Sequence, residues 1–404
     1  MNENTTQKKK IAIIGTVGVP ANYGGFETLA EHIIDDLGQK HDITVYCSGK
    51  KYPKAERKAR YKGARLVYLP LEANGIQSIP YDTLSILHAL FFADVLLVLG
   101  VSGAWILPFV RLFTNKKIII SIDGIEWKRD KWNLLAKWYL FWAEGLAVKY
   151  SQIDISDNEA IQDYTAARYG SLSRIIEYGA DHTLNVPIAQ EAKEQYPFLQ
   201  SSYAFKVCRI EPENNVHVII DAFSKTQKMP LVIVGNWDKS EYGQSLKSKY
   251  QQYPNIHILD PIYNQEKLDI LRGNAALYVH GHSAGGTNPS LVEAMYLGLP
   301  ILAYGVSYNR VTTEHRAMYF HDMTSLISRI NEIQVTKLKK TGQEMAKIAR
   351  RRYTWSHIVF KYELLIQEAL EANDKMKVEA DTKQVAYEKL LKLGHAHLKT
   401  NFNY

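Results

Sequence analysis

His280-Gly281-His282-Ser283-Ala284-Gly285-Gly286-Thr287-Asn288-Pro289-Ser290-Leu291-Val292-Glu293 reads as the end of a strand, a glycine-bearing loop and the start of a helix. The apolar run Ala276 to His280 supplies the strand. Pro289 to Leu297 has helical spacing, with proline in its first turn. Gly285 and Gly286 let backbone N–H groups approach a ligand closely, and a helix start favours an anion. A diphosphate fits. Glu293 falls about one turn into the helix, where its carboxylate can accept hydrogen bonds from sugar hydroxyls. The plainer alternative is a packing helix with Glu293 solvated.

The same strand-and-helix alternation extends in both directions. Towards the N-terminus, strands are expected at Ile11 to Ile14, Ile43 to Cys47, Leu66 to Leu69, Val95 to Leu99, Lys117 to Ile122, Ile153 to Ser156 and Arg174 to Ile176. A second series begins at Ala204 to Ile210 and continues through Leu231 to Val234, Ile256 to Leu259, Ala276 to His280 and Pro300 to Ala303. Helical runs lie between them, notably Phe26 to Leu37, Val216 to Ser224 and a closing amphipathic helix from Trp355 to Ala372. Strands separated by helices predict parallel sheets covered on both faces. The expected fold class is α/β, with two Rossmann-like doubly wound domains facing a central cleft. The expected division is 1–185, 186–372 and a basic polar tail 373–404, with the final helix able to pack back on the first domain.

Composition agrees with two globular domains: 404 residues, 46% apolar and 23% charged. Two cysteines, Cys47 and Cys208, make neither a disulfide framework nor a zinc cluster and read as small buried hydrophobes. The polar, basic start has no apolar centre of a secretory signal. Ala89 to Val110 is long and apolar enough for a membrane span, but Asp94, Gly100, Ser102, Gly103 and Pro108 interrupt it, so a buried strand, a turn and a short helix are expected. The net charge of +7 comes without a nucleic-acid-binding motif. Between Trp127 and Trp142, basic residues alternate with aromatic ones. Trp132, Leu135, Trp138, Tyr139 and Trp142 share one helix face beside Lys128, Arg129, Lys131 and Lys137, which suits an anionic membrane surface; core packing is the alternative.

Three further segments carry candidate chemistry. Ile14-Gly15-Thr16-Val17-Gly18-Val19-Pro20-Ala21-Asn22-Tyr23-Gly24-Gly25-Phe26-Glu27-Thr28 is a strand, a glycine-bearing loop and a helix. Gly15 and Gly18 do not have the Gly-X-Gly-X-X-Gly spacing of a dinucleotide site, which disfavours a nicotinamide-dependent oxidoreductase. Asp123 and Glu126 follow a strand and could orient or deprotonate an acceptor hydroxyl, or simply cap the next helix. Asp157 is a similar candidate with the same alternative. Arg209, in Arg209-Ile210-Glu211-Pro212-Glu213-Asn214-Asn215, can grip phosphate oxygens with two hydrogen bonds. There is no Asp-X-Asp, His280 and His282 lack an evident third ligand, and no Gly-X-Ser-X-Gly elbow is present.

The 280–300 segment resembles the nucleotide-binding motif of the large retaining glycosyltransferase family with two Rossmann-like domains, the GT-B fold (family four of the usual classification). That motif has two glutamates eight positions apart. Glu293 matches the second, while Gly285 stands at the first. One subgroup shows Gly-Gly-Thr-Asn-Pro-Ser here, and the 14–28 segment resembles the opening of the same subgroup: rhamnosyltransferases of bacterial cell-surface polysaccharide assembly, with a DUF1972-type N-terminal domain. In the broader family an arginine and, five positions later, a lysine hold the donor diphosphate; Arg209 matches, and Asn214 replaces the lysine. Tyr178-Gly179-Ala180-Asp181 resembles the segment closing the first domain.

The resemblance implies transfer of L-rhamnose from dTDP-L-rhamnose to a saccharide on a polyprenyl diphosphate, with retention; no metal or other cofactor is expected, and the missing signal and the donor pool point to cytoplasmic, peripheral residence at the inner face of the cell membrane. Catalysis is expected of Asp123, Glu126, Asp157 and Arg209. Donor binding falls to Gly18, Arg209, Glu211, Asn214, Gly285, Gly286, Thr287, Asn288 and Glu293, and acceptor binding to Tyr23, Gly24, Gly25 and Trp127. Expected partners are the nucleotide sugar, the lipid-linked saccharide and an anionic membrane, with no nucleic acid. The alternatives are a UDP- or GDP-hexose donor, a sugar-nucleotide epimerase, and a non-catalytic sugar-nucleotide sensor.

Overall fold

Val95–Leu99, a continuous Val-Leu-Leu-Val-Leu run, is buried along its whole length, as a strand must be when helices cover both sheet faces. It is the centre of the first of two sheets in the computed structural model, which describes residues 8–21, 24–122, 124–129 and 132–372. The strands of this sheet are β1 (Lys10–Ile14), β2 (Asp42–Ser48), β3 (Arg60–Tyr61), β4 (Ala64–Leu69), β5 (Val95–Leu99), β6 (Lys117–Ser121), β7 (Ile153–Ser156) and β8 (Arg174–Ile175). Their spatial order is β3-β4-β2-β1-β5-β6-β7-β8, parallel throughout except for the β3–β4 pair. The order reverses between β1 and β5, paired in register from Ile11–Val95 to Ile14–Val98.

The second sheet comprises β9 (Ala204–Val207), β10 (Leu231–Val234), β11 (Ile256–Leu259), β12 (Leu277–His280), β13 (Ile301–Tyr304) and β14 (Met318–Phe320). Its order is β11-β10-β9-β12-β13-β14, wholly parallel, with the reversal between β9 and β12. Phe223, Leu231, Ile233, Trp237, Leu277 and Phe320 are among the residues of its core. Both sheets are doubly wound. In such sheets ligands bind beyond the carboxyl ends of the strands that flank the reversal, which here means the loops after β1 and β5 and those after β9 and β12.

One compact unit takes the chain up to Glu177 together with the segment from Ser356 onward; the other is Tyr178–Trp355. The expected boundary at 185 falls later than this one. Tyr178 to Asp181, with no helical or strand period, is fixed within the second unit by Trp355. The Trp355 N–H donates to Asp181 Oδ1 at 2.7 Å, and a Cβ on Gly179 would lie 2.3 Å from the indole. The helix Trp355–Glu371 otherwise belongs to the first unit, where Lys361 pairs with Glu177 at 2.6 Å and Glu363 with Lys40 at 2.8 Å. The 89–110 stretch is β5, a turn and the helix Leu107–Phe113, and among the described residues no helix is long and apolar enough to cross a membrane. Cys47 and Cys208 are both free; burial pushes the Cys47 thiol up to about 12. The expected tail 373–404 lies outside the described residues.

Candidate functional site

The two motif loops of the second unit lie side by side because β9 and β12 are neighbours at its sheet reversal. Buried Asn214 binds them together: its Nδ2 donates to the Arg209 carbonyl at 2.9 Å, and its Oδ1 lies 3.1 Å from His282 Nδ1. Asn215, in the left-handed region at φ 49°, donates from Nδ2 to the Gly281 carbonyl at 2.8 Å. Ser283 returns two hydrogen bonds to the Glu213 carbonyl, at 2.8 Å from its N–H and 3.0 Å from its hydroxyl. This closeness requires glycine at 281, where a Cβ would sit 2.3 Å from the Asn214 carbonyl oxygen. These bonds tie the two loops into one platform.

Arg209 stands on this platform with its side chain 46% exposed, its Nε 3.7 Å from Glu211, a separation at which a partly solvated pair binds weakly. The guanidinium is thus available to an anion. Gly285 has φ 115°, a conformation that L side chains rarely adopt, so glycine suits this position. Gly286 and Thr287 are buried behind it. Asn288 caps the helix Pro289–Tyr296 by accepting from the Ser290 N–H at 3.0 Å, so this side chain is committed to the fold. Asn214 is committed in the same way.

Glu293 lies in a buried chain of charges that the sequence did not announce. Arg272, fully buried, binds Asp269 at 2.5 Å and also Glu293, while His182 Nε2 lies 3.2 Å from the other Glu293 oxygen. Asp269 further accepts from the Leu184 N–H at 2.8 Å and from Gln265 at 2.7 Å. Burial alone would raise the Glu293 pKa; Arg272 and His182 outweigh it and hold the carboxyl at about 2. The side chain is 15% exposed, so a fixed, ionised carboxylate remains with lone pairs for hydroxyl donors. His280, at the end of β12, is pushed well below its usual range by burial and by Lys206, so its imidazole is neutral. Among the described residues no group of three His, Cys, Asp or Glu side chains is placed to hold a metal ion. A separate pocket of about 580 Å³, lined by Pro187, Lys193, Leu199 and Asn274 among others, contains none of these candidates.

In the first unit, the loop after β1 is held by a glutamate. Buried Glu27 accepts from the Thr16 hydroxyl at 2.9 Å and the Val17 N–H at 2.7 Å, and Tyr81 donates to the Thr16 carbonyl at 2.9 Å. Gly18, at φ 131°, packs where a Cβ would meet Cys47 Sγ at 2.7 Å, so close packing already explains this glycine. Gly24 and Gly25 open the helix Gly25–Leu37. Beyond β6, Glu126 pairs with Arg129 at 2.8 Å and accepts from the Trp132 indole at 3.0 Å. Trp127 is buried, donating to the Tyr164 hydroxyl at 3.0 Å; it supports this loop from beneath. Tyr164, Tyr169 and Arg168 all converge on buried Glu144, at 2.6, 2.6 and 2.7 Å. Asp157 is buried after β7, and the cap of the following helix is Asn158, not Asp157. Tyr23 and Asp123 lie outside the described residues.

Within each unit, then, the motif residues gather at the sheet reversal or beside it. Sequence reasoning missed Asp269, Arg272, His182, Glu27 and Glu144. Only Glu27 carried a local signal, since it stands one turn into a helix that opens after a glycine loop.

Residues 8–181 match the model of a domain of unknown function (DUF1972), and residues 189–352 match glycosyl transferases group 1. No curated protein matches the chain at a significant level. Among solved structures, sucrose-phosphate synthase from Thermosynechococcus elongatus is 15% identical with a TM-score of 0.76, over 91% of this chain and 100% of that one. Anabaena HepE in complex with UDP-glucose is 13% identical with a TM-score of 0.69, over 89% and 99%. A structure described as trehalose-6-phosphate from E. coli bound with UDP-2-fluoro glucose is 10% identical with a TM-score of 0.65, over 91% and 100%. These likenesses establish the fold as that of GT-B glycosyltransferases, two Rossmann-like domains.

Proposed function

Proceeding from a GT-B fold whose second half matches the group 1 glycosyl transferases, we propose that the protein transfers L-rhamnose from dTDP-L-rhamnose to a sugar carried on a polyprenyl diphosphate, with retention and without a metal. The observation that carries the donor site is the β9–β12 platform: an exposed guanidinium at Arg209, a helix N-terminus behind Gly285 and Gly286, and an ionised Glu293. In the reaction the bond between the anomeric carbon and the diphosphate oxygen breaks. The acceptor hydroxyl oxygen bonds to that carbon on the same face, and its proton passes to the departing diphosphate. Arg209 and the backbone N–H groups of the 285–287 loop stabilise the negative charge that grows on the diphosphate. Glu293 takes hydrogen bonds from ribose or sugar hydroxyls.

The choice of rhamnose rests on the 14–28 and 285–290 segments, and the lipid-linked acceptor places the protein peripherally at the inner face of an anionic membrane. Asp123 or Glu126 would orient the acceptor hydroxyl, with Tyr23, Gly24 and Gly25 beside it. A UDP-hexose donor is the second reading, favoured by the UDP-glucose held by HepE. A donor screen decides: purified protein with dTDP-L-rhamnose, UDP-glucose, UDP-N-acetylglucosamine or GDP-mannose, each with a lipid-diphosphate-linked sugar. Transfer from dTDP-L-rhamnose alone is expected. Transfer from another donor retires rhamnose, and nucleotide binding without any transfer favours a sensor.

A further inference from the structure

The helices Leu107–Phe113 and Leu134–Tyr150 of the first unit pack together and leave much of their apolar surface in water. Phe109, Leu112, Phe113, Leu135, Trp138 and Trp142 are all exposed, Phe113 at 75% and Leu135 at 80%. Trp138 and Trp142 stack on each other, ring centroids 6.5 Å apart and planes within 2°. An exposed apolar surface of this extent marks a protein or a membrane contact.

Charge separates the two. Neither helix has an exposed carboxylate: their only acidic residue, Glu144, is 1% exposed and bound to Arg168. Their other charges are the cations Arg111, Lys137 and Lys149. Arg111 sits among the exposed Phe109, Leu112 and Phe113, is itself only 8% exposed, and its Nη1 has no hydrogen-bond partner. A buried guanidinium nitrogen without a hydrogen-bond partner is costly unless an anion completes it, and phosphate oxygens do so with strong charge-assisted bonds. Exposed tryptophans and leucines beside cations, with no exposed carboxylate, match the interfacial region of an anionic bilayer.

We propose that this two-helix face is the membrane-docking surface of the protein, with Phe113, Leu135 and Trp138 entering the bilayer interface and Arg111 taking a phospholipid phosphate. It deepens the membrane contact of the preceding section and rests on it. The docking face is built from the end of the 89–110 stretch, whose sequence reads as neither span nor surface, together with the part of 127–142 that the fold leaves exposed.

Full-length protein is sedimented with vesicles of phosphatidylcholine alone or with added phosphatidylglycerol. Binding to the anionic vesicles is expected to be about tenfold tighter or more. The double variant Leu135→Ser/Trp138→Ser, which changes only exposed side chains, is expected to stay in solution with an unchanged melting temperature. Arg111→Gln is expected to lose the preference for anionic vesicles. Wild-type protein that ignores both vesicle types, or a double variant that binds like wild type, overturns the proposal. So does a dimer in light scattering that the double variant dissolves, because the face would then join two copies. Nucleotide-sugar binding measured without vesicles separates the readings: its loss retires the transferase and leaves vesicle binding standing.

Discussion

Glu293 Oε1 and His182 Nε2 lie 3.2 Å apart, and Trp355 determines which of them carries the proton. The Trp355 indole N–H, a donor only, points at His182 Nδ1 from 2.9 Å. A neutral His182 must then hold its proton on Nε2 and donate it to Glu293. With Arg272 on the other oxygen, Glu293 is fixed from both sides before any sugar arrives. The residue read from sequence as a sugar ligand is equally a link in a buried ion network.

Acid should expose that network. The folded-state pKa of Glu293 is depressed from 4.5 to about 2. Its contribution is therefore present above the unfolded value and lost as pH falls from about 4.5 towards about 2. The shift corresponds to roughly 3 kcal/mol. Chemical denaturation across this range should show the loss in wild type and a flatter acid limb in Glu293→Gln, which is less stable than wild type at neutral pH. Parallel limbs in the two proteins would place the titration elsewhere.

Arg209→Ala should lower turnover about a hundredfold or more, the scale for removing a group that stabilises transition-state charge. Because the side chain is 46% exposed and weakly paired, the melting curve should scarcely move. Near-native kcat would remove Arg209 from the diphosphate site.

Asn214→Lys would introduce the lysine of the glycosyltransferase motif that this segment resembles, yet a gain in activity is not expected. The amide bonds the Arg209 carbonyl and His282 in a buried position. A lysine there loses both bonds and buries a charge, at a cost of about 2 kcal/mol or more. Urea midpoints test the stability, and improved turnover at unchanged stability would show Asn214 to be a lost phosphate ligand.

Gly281→Ala should damage donor binding more than the fold. The new Cβ meets the Asn214 backbone oxygen at 2.3 Å, so the two loops must part. Calorimetry with nucleotide should show affinity down about tenfold or more, the scale at which misplaced groups cost rate and binding. Unchanged affinity would mean that the platform tolerates separation.

The legible parts of this molecule are those whose signal is local. Val95–Leu99, Ile153–Ser156, Leu231–Val234 and Ile256–Leu259 are uninterrupted or alternating apolar runs and have the boundaries expected of them. Ala204 to Ile210 was expected to be one strand because Cys208 and Ile210 continue the apolar character; the strand ends at Val207, where the loop turns to meet Gly281. β3 and β14 are too short to carry a period. At the site, glycine spacing indicates where backbone comes close, and Pro289 indicates a helix start. Spacing cannot show that Arg272 reaches Glu293, or that Trp355 reaches His182 across most of the second unit. Nor does it show that Asn214 and Asn288 bond neighbouring backbone and side chains, since the same amides serve equally well as ligands.

The helix Trp355–Glu371 has a bearing on biosynthesis. As the chain leaves the ribosome, every residue of the Tyr178–Trp355 unit emerges before Lys361 and Glu363 do, while the unit begun first still waits for them. The later-encoded half can thus finish folding first, and the earlier half spends that interval without Lys361, Glu363 and the rest of its last helix. A chain truncated after residue 355 should protect β9–β14 from protease while β1–β8 remain sensitive.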